Sequence, residues 1–167
     1  VRIFLSMAEH QLTVSERPFA AIEQENKSNR QIGYSMRCSE YALRTVWDNH
    51  LKNELSNIDE LLMEGAVNRI EYIHRDLMTW GQGSFGYDSI SWHRSAIEIH
   101  EQDRFPKNID VVIDVVRDYL EMTCSKSGGA EIWIGRLVQS KAPILRRLAI
   151  HGMSIRTDCS PDDILGW

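Results

Sequence analysis

The sequence predicts an all-α fold of antiparallel helix pairs, either a HEAT- or tetratricopeptide-like helical-repeat segment or a bundle. Three observations predict it. Apolar residues recur every three or four positions through most of the chain, Gly81, Pro106, Gly128-Gly129 and Pro143 fall at the ends of those runs, and no stretch reads as a convincing strand. No internal period assigns a named repeat.

Val1 to about Gln11 reads as helix, with Ile3, Phe4, Leu5, Met7 and Ala8 as its apolar side. Residues 13–38 carry the weakest pattern. Pro18 is placed to start a short helix through Phe19, Ala20, Ala21 and Ile22, and Glu23 to Arg30 is polar and expected to be exposed. From Ser39 the pattern sharpens: Leu43, Val46, Trp47, His50 and Leu51 recur at helical spacing and predict one buried face. Asn57 is a suitable cap for a longer helix to Trp80, whose stripe is Leu62, Ala66, Ile70, Ile73, Leu77 and Trp80. Gly81 is its expected stop.

A glycine-rich loop over 81–90 precedes an expected helix from about Trp92 to Gln102, and Pro106 helps to start the next. The run Ile109-Asp110-Val111-Val112-Ile113 has the look of a buried strand, but the polar set excludes it. Asp110, Asp114, Arg117, Asp118 and Glu121 trace one helical face, and Ile109, Val112, Ile113, Val116 and Leu120 the opposite one. A helix over Asn108 to Cys124, stopped by Ser127-Gly128-Gly129, follows. Helices over Glu131 to Gln139 and Pro143 to Met153 come next, the second capped by Ser140. Ser160-Pro161-Asp162-Asp163 has the form of a further helix start, so the chain is expected to be a segment of a longer protein.

A chain of 167 residues is long enough for one domain with a core of its own. It is read as a single segment over 1–167, with the glycine-rich loop as a candidate sub-boundary. Apolar content of 43% and charged content of 26% indicate a globular protein. A net charge of −5 argues against a nucleic-acid surface, leaving Arg146 and Arg147 as a local basic pair. Cys38, Cys124 and Cys159 show no CxxC spacing; reduced thiols and a cytoplasmic protein are expected, with no cofactor. No run approaches the ~18 apolar residues of a membrane span, and no signal peptide opens the chain.

Two strings imitate a protein kinase. Gly81-Gln82-Gly83-Ser84-Phe85-Gly86 matches a glycine loop, and His74-Arg75-Asp76-Leu77 matches a catalytic loop. Their order is inverted, the second lies within a predicted helix, and no Asp-Phe-Gly follows. The glycine loop is read as a connection pinned to neighbouring helices by Phe85, Tyr87 and Trp92, with a binding loop built on the same three residues as the alternative.

The densest polar cluster is His93, Arg94, Glu98, His100, Glu101, Asp103 and Arg104. On a straight helix His93 and His100 stand ~10 Å apart, too far to share a metal ion. Pairs such as Arg94 with Glu98 at i, i+4 are expected instead. Asp114, Arg117, Asp118 and Glu121 are read as a solvated face or as bonds to the next helix, not as acid–base catalysts. No nucleophile triad or phosphate loop assembles, so no catalytic, cofactor or metal residue is assigned.

Three strings carry a family resemblance: Arg94-Ser95-Ala96-Ile97-Glu98-Ile99-His100-Glu101-Gln102-Asp103, then Ile113-Asp114-Val115-Val116-Arg117-Asp118-Tyr119-Leu120-Glu121, then Ser140 to Gly152. The succession, over residues 90–167, resembles the helical-repeat region of very large bacterial proteins that carry sirtuin-like or P-loop NTPase domains and are linked to anti-phage defence. Many of that group have Pro where this chain has Ile99. The resemblance implies a sensor, scaffold or oligomerisation arm, with the chemistry elsewhere in the parent.

The expected function is therefore a non-catalytic interaction segment. Its partners are other domains of the parent chain, a protein, or a second copy, and neither a membrane nor nucleic acid. The expected inter-helix network comprises Arg94, Glu98, His100, Glu101, Arg146, Arg147 and His151, with Glu98 or Glu101 meeting Arg146 or Arg147. The alternatives are an active site completed by missing domains, using Glu98, His100 and Glu101, and a packing module between catalytic domains.

Overall fold

The computed structural model describes residues 1–16, 30–58, 60–84, 87–103, 105–124, 130–156 and 162. These are mostly helical, as the periodicity predicts, but two small antiparallel sheets interrupt the helices. The reading without strands is corrected at both places.

The first helix, α1 (Arg2–Met7), is shorter than expected. Where it was to continue, β1 (His10–Glu16) pairs with β2 (Arg30–Met36). Directly opposed residues share a face, so His10, Leu12 and Val14 lie with Met36, Tyr34 and Ile32, while Gln11 and Thr13 lie with Ser35 and Gly33. One face is apolar and the other polar, the period-two pattern of a hairpin. Met36 is buried at its base, whereas Leu12 and Val14 stand exposed further out. The helix expected from Pro18 through Ile22, and the polar stretch that follows to Asn29, lie outside the described residues.

Ser39 caps α2 (Glu40–Val46) by accepting from the Ala42 N–H. The helix widens into a π-helical turn over Trp47–Leu51 and then tightens into a 3-10 helix over Lys52–Asn57. Leu43 and Trp47 are buried, but His50 of the expected stripe is exposed. In an α-helix, positions five apart point ~140° away from each other. The wider turn brings Trp47 and Lys52 onto one side.

The long helix, α3 (Leu61–Thr79), starts later than expected, because Asn57 closes the 3-10 helix and Glu60 takes the cap position. Leu62, Ala66, Ile70, Ile73 and Leu77 are buried as the stripe predicts, while Trp80 is exposed. Gly81 ends it at φ 70°, a conformation that costs other L-residues strain. At Gly65 a Cβ would come 2.5 Å from a Leu5 methyl, so its absence lets α1 lie directly on α3.

The glycine loop folds into a second hairpin, β3 (Gly83–Ser84) and β4 (Tyr87–Asp88), and runs into α4 (Ser89–His93). The helix expected to Gln102 ends there. Arg94 is extended, and the described residues of 94–107 are irregular apart from a 3-10 turn at Glu101–Asp103.

Then α5 (Asn108–Cys124) runs through the centre of the molecule, against α2, α3, α7 and the 3-10 helix. Every residue from Ile109 to Leu120 is buried. The final pair, α6 (Glu131–Val138) and α7 (Pro143–Ser154), packs on itself, with Pro143 at the helix start. The Ser140 hydroxyl accepts from the Ala142 N–H, although Ala142 holds the cap position itself. The stop expected at Ser127-Gly128-Gly129 and the helix start at Ser160 lie outside the described residues.

Candidate interaction site

The polar face of α5 is not solvated. Asp110, Asp114, Arg117 and Asp118 are each at most 6% exposed, and side chains from distant elements neutralise them. Asp114 Oδ1 accepts from Arg94 Nη2 and from Arg117 Nη1, both at 2.7 Å, and its Oδ2 accepts from Arg44 Nη1 at 2.6 Å. Asp118 Oδ1 accepts from Arg117 Nε and Nη2. Asp118 Oδ2 faces Lys52 Nζ at 2.9 Å and accepts from Trp47 Nε1 at 3.3 Å, so the π-helical turn supplies one donor and the first residue of the 3-10 helix the other. Asp110 accepts from the Lys107 N–H and lies 3.5 Å from Arg94 Nη1.

This pairing holds the Arg44 and Arg117 guanidinium groups charged. Burial alone lowers the pKa of Arg44 and Arg117, but Asp114, with Glu40 and Asp48, outweighs it at Arg44, and Asp114 and Asp118, with Glu121, outweigh it at Arg117, so both are raised. Carboxylates already engaged by several donors are poorly placed to exchange a proton with a substrate. What the arrangement does is fix position.

What it fixes is the irregular segment after α4. Asp88 caps α4, its Oδ1 accepting from the Ile90 and Ser91 N–H groups at 2.8 Å. Arg94 then turns inward and donates to its own loop, from Nε to Ala96 O and from Nη2 to Ile97 O. Arg117 also donates to Ile97 O. Asp103 closes the loop, accepting from the Ser95 N–H and hydroxyl. Burial alone raises the Asp103 pKa; these bonds, one to Ala96 and the Arg94 charge carry it below the ordinary value. Side chains thus meet the backbone polar groups that a helix would otherwise pair, which is why the expected helix does not form.

Helix α7 holds the same loop from the other side. Arg147 Nη1 donates to Ser91 O and Arg94 O, and Nη2 to Ser95 O, at 2.7 to 2.9 Å. The expected seam of Glu98 or Glu101 with Arg146 or Arg147 is corrected: carbonyl oxygens take the place of carboxylates. Arg146 binds Ser140 O and Lys141 O at the start of its own helix. His151 Nε2 lies 2.9 Å from Glu121 Oε1, tying α7 to α5. Glu98, His100 and Glu101 are exposed, and the Arg94–Glu98 helix pair is absent.

Beside these polar groups, the loop and its flanks expose three large apolar side chains. Ile99 is 90% exposed, Phe105 86% and Trp92 77%. The Trp92 and Tyr87 rings lie 6.0 Å apart, both open to solvent. The anchoring expected of these aromatics is therefore corrected: buried Ile90 and Asp88 hold the connection, while Tyr87 and Trp92 face outward. Phe85 lies outside the described residues. A cleft of about 310 Å³ beside the loop is lined by Ala96, Ile97, Glu98, Arg147, Ile150 and His151. Another, of about 480 Å³, is lined by Lys52, Asn53, Leu55, Ser56, Asp118, Glu121 and Met122, so the His151–Glu121 pair stands between the two.

Of the residues singled out in the sequence, Arg94, Arg147 and His151 join this framework. Arg44, Lys52 and Trp47 belong to it unannounced, because each is an ordinary member of a helical face. Ile99 and Phe105 were legible only as apolar residues within polar strings. The glycine loop does lie on a hairpin, though one of two-residue strands, and His74 is buried with Nδ1 3.3 Å from Asp88. Among the described residues no group of three His, Cys, Asp or Glu side chains is arranged to hold a metal ion, and no helix is long and apolar enough to cross a membrane.

No protein-family model matches the chain, and no curated protein or solved structure matches it.

Proposed function

We propose that this chain is a non-catalytic protein-interaction segment whose binding surface is the rigid loop over 94–103 with its flanks. The observation that supports this most is the contrast between the loop's two sides. Arg94, Arg117, Arg147 and Asp103 lock it from within, while Trp92, Ile99 and Phe105 project outward. Exposed aromatic and aliphatic anchors on a pre-ordered backbone lose little entropy on binding and are enriched among residues that dominate protein interfaces. Glu98 and Glu101 beside them make no side-chain bond among the described residues, so the favoured partner surface is apolar with a basic rim.

In this reading the partner is another domain of a larger parent chain or a separate protein. The helical-repeat region of bacterial anti-phage defence proteins is the setting the sequence resembles. Stacking of helix pairs of the α6–α7 kind is the proposed architecture.

The test is made in the full-length parent. Replacing Trp92, Ile99 and Phe105 by Ser is expected to disrupt assembly in sedimentation velocity while the protein stays folded. Alanine at His100 and Glu101 is expected to leave the parent's activity intact. Unchanged assembly in the serine variant, with activity lost in the alanine variant, would transfer the function to an active site built on those two residues.

A further inference from the structure

Far from that loop, His10 stands between two groups of opposite charge on α3. Its Nε2 is 2.9 Å from Asp76 Oδ2, and its Nδ1 is 3.4 Å from Arg69 Nη1. A guanidinium only donates, so Nδ1 must present its lone pair and the ring proton must sit on Nε2, directed at Asp76. Arg69 uses Nη2 to hold Leu5 O at 3.3 Å, and its Nε is buried without a partner among the described residues. Arg69 therefore clamps α1 and β1 together onto α3 through two hydrogen bonds, one of which requires an unprotonated His10 Nδ1.

From this geometry we infer that His10 is a proton-sensitive latch for α1. A second proton on the ring turns Nδ1 into a donor facing a cation. The Arg69–His10 bond is lost and like charges oppose each other, while the contact with Asp76 becomes an ion pair and strengthens. Protonation thus exchanges one neighbour for the other: β1 stays on α3 and Arg69 is released. The other charged or titratable groups around the latch are Glu9 and Arg37, which pair with each other at 2.7 Å, and Tyr72, on the same helix as Arg69. Burial and the Arg37 charge lower the Arg69 pKa against the pull of Glu9 and Tyr72.

The released element covers core surface. Phe4 of α1 is 1% exposed and its ring lies 6.1 Å from that of Trp47, itself fully buried. Loosening α1 uncovers an apolar surface at Phe4 and Trp47, the latter also a donor to Asp118.

Two NMR measurements on the whole chain test this. Nitrogen shifts of the His10 ring above about pH 8 should show the proton on Nε2. Amide exchange, corrected for its intrinsic pH dependence, should then quicken in α1 by roughly tenfold between about pH 8 and pH 5, with residues 32–36 of β2 unchanged. His10→Asn, which keeps an acceptor for Arg69 that cannot be protonated, should remove the pH response. Arg69→Gln should leave α1 fast at both pH values. A ring proton on Nδ1, or α1 protection that stays constant while His10 titrates, would overturn the latch.

Discussion

Arg94 and Asp114, 20 residues apart in sequence, meet at 2.7 Å with each side chain only 6% exposed. The same carboxylate binds Arg117 and Arg44, so one residue of α5 joins α2, the loop and its own helix. Charges are taken out of water here only because each meets several opposite partners. Apolar residues of similar volume in place of such a network are often neutral or stabilising, whereas removing one partner is strongly destabilising.

Asp114→Asn tests that arrangement. The amide keeps the shape but leaves three guanidinium groups around a neutral centre. A loss of about 3–5 kcal/mol is expected, as for breaking a buried ion pair by removing one partner, and roughly 10 °C in Tm. The double variant Arg94→Met, Asp114→Asn should lose less than the sum of the two single changes, because the sites share one interaction. Strict additivity in urea unfolding would show that the pair is not coupled.

Arg147→Lys tests the grip of α7 on the loop. An ammonium lacks the planar fork that reaches Ser91, Arg94 and Ser95 carbonyls together. Loss of two of the three bonds should cost about 1–3 kcal/mol and speed amide exchange over residues 91–97 well beyond the rest of α7. Arg147→Ala should do more. A Tm unchanged in both variants would leave the seam without support.

Tyr34 gives a pH dependence of known sign. Burial, followed by the Asp110 and Asp88 charges, raises its phenol well above the ordinary value of 10.0. The native state therefore keeps the proton that the unfolded chain releases. This stability is fully present below about pH 10 and is lost as pH rises from there toward the folded pKa. Urea unfolding between pH 8 and pH 11.5 should show the protein weakening at the alkaline end relative to Tyr34→Phe, which has no proton to lose. Parallel curves for the two proteins would contradict the assignment.

Much of the helical frame was legible. The stripe from Leu62 to Leu77, the stop at Gly81, the two-sided pattern of Ile109 to Leu120 and Pro143 at a helix start all appear in the structure. The first hairpin was missed: Leu12 alternates with Val14, and Ile32 with Tyr34 and Met36, but short strands give a weaker signal than long helices. The loop over 94–103 was missed too. Its sequence has helical spacing, and only side chains folded back onto its own carbonyls keep it irregular.

By itself, the sequence determined where the long helices lie and which side of each is apolar, because a 3.6-residue period is a property of one segment alone. Tertiary structure decided the fate of the charged side of α5. A row of aspartates is a solvated face beside water and a buried framework beside Arg44, Lys52 and Arg94. Those partners come from other elements, and Coulomb energy depends on the distance and dielectric between them, quantities that exist only once the chain has folded.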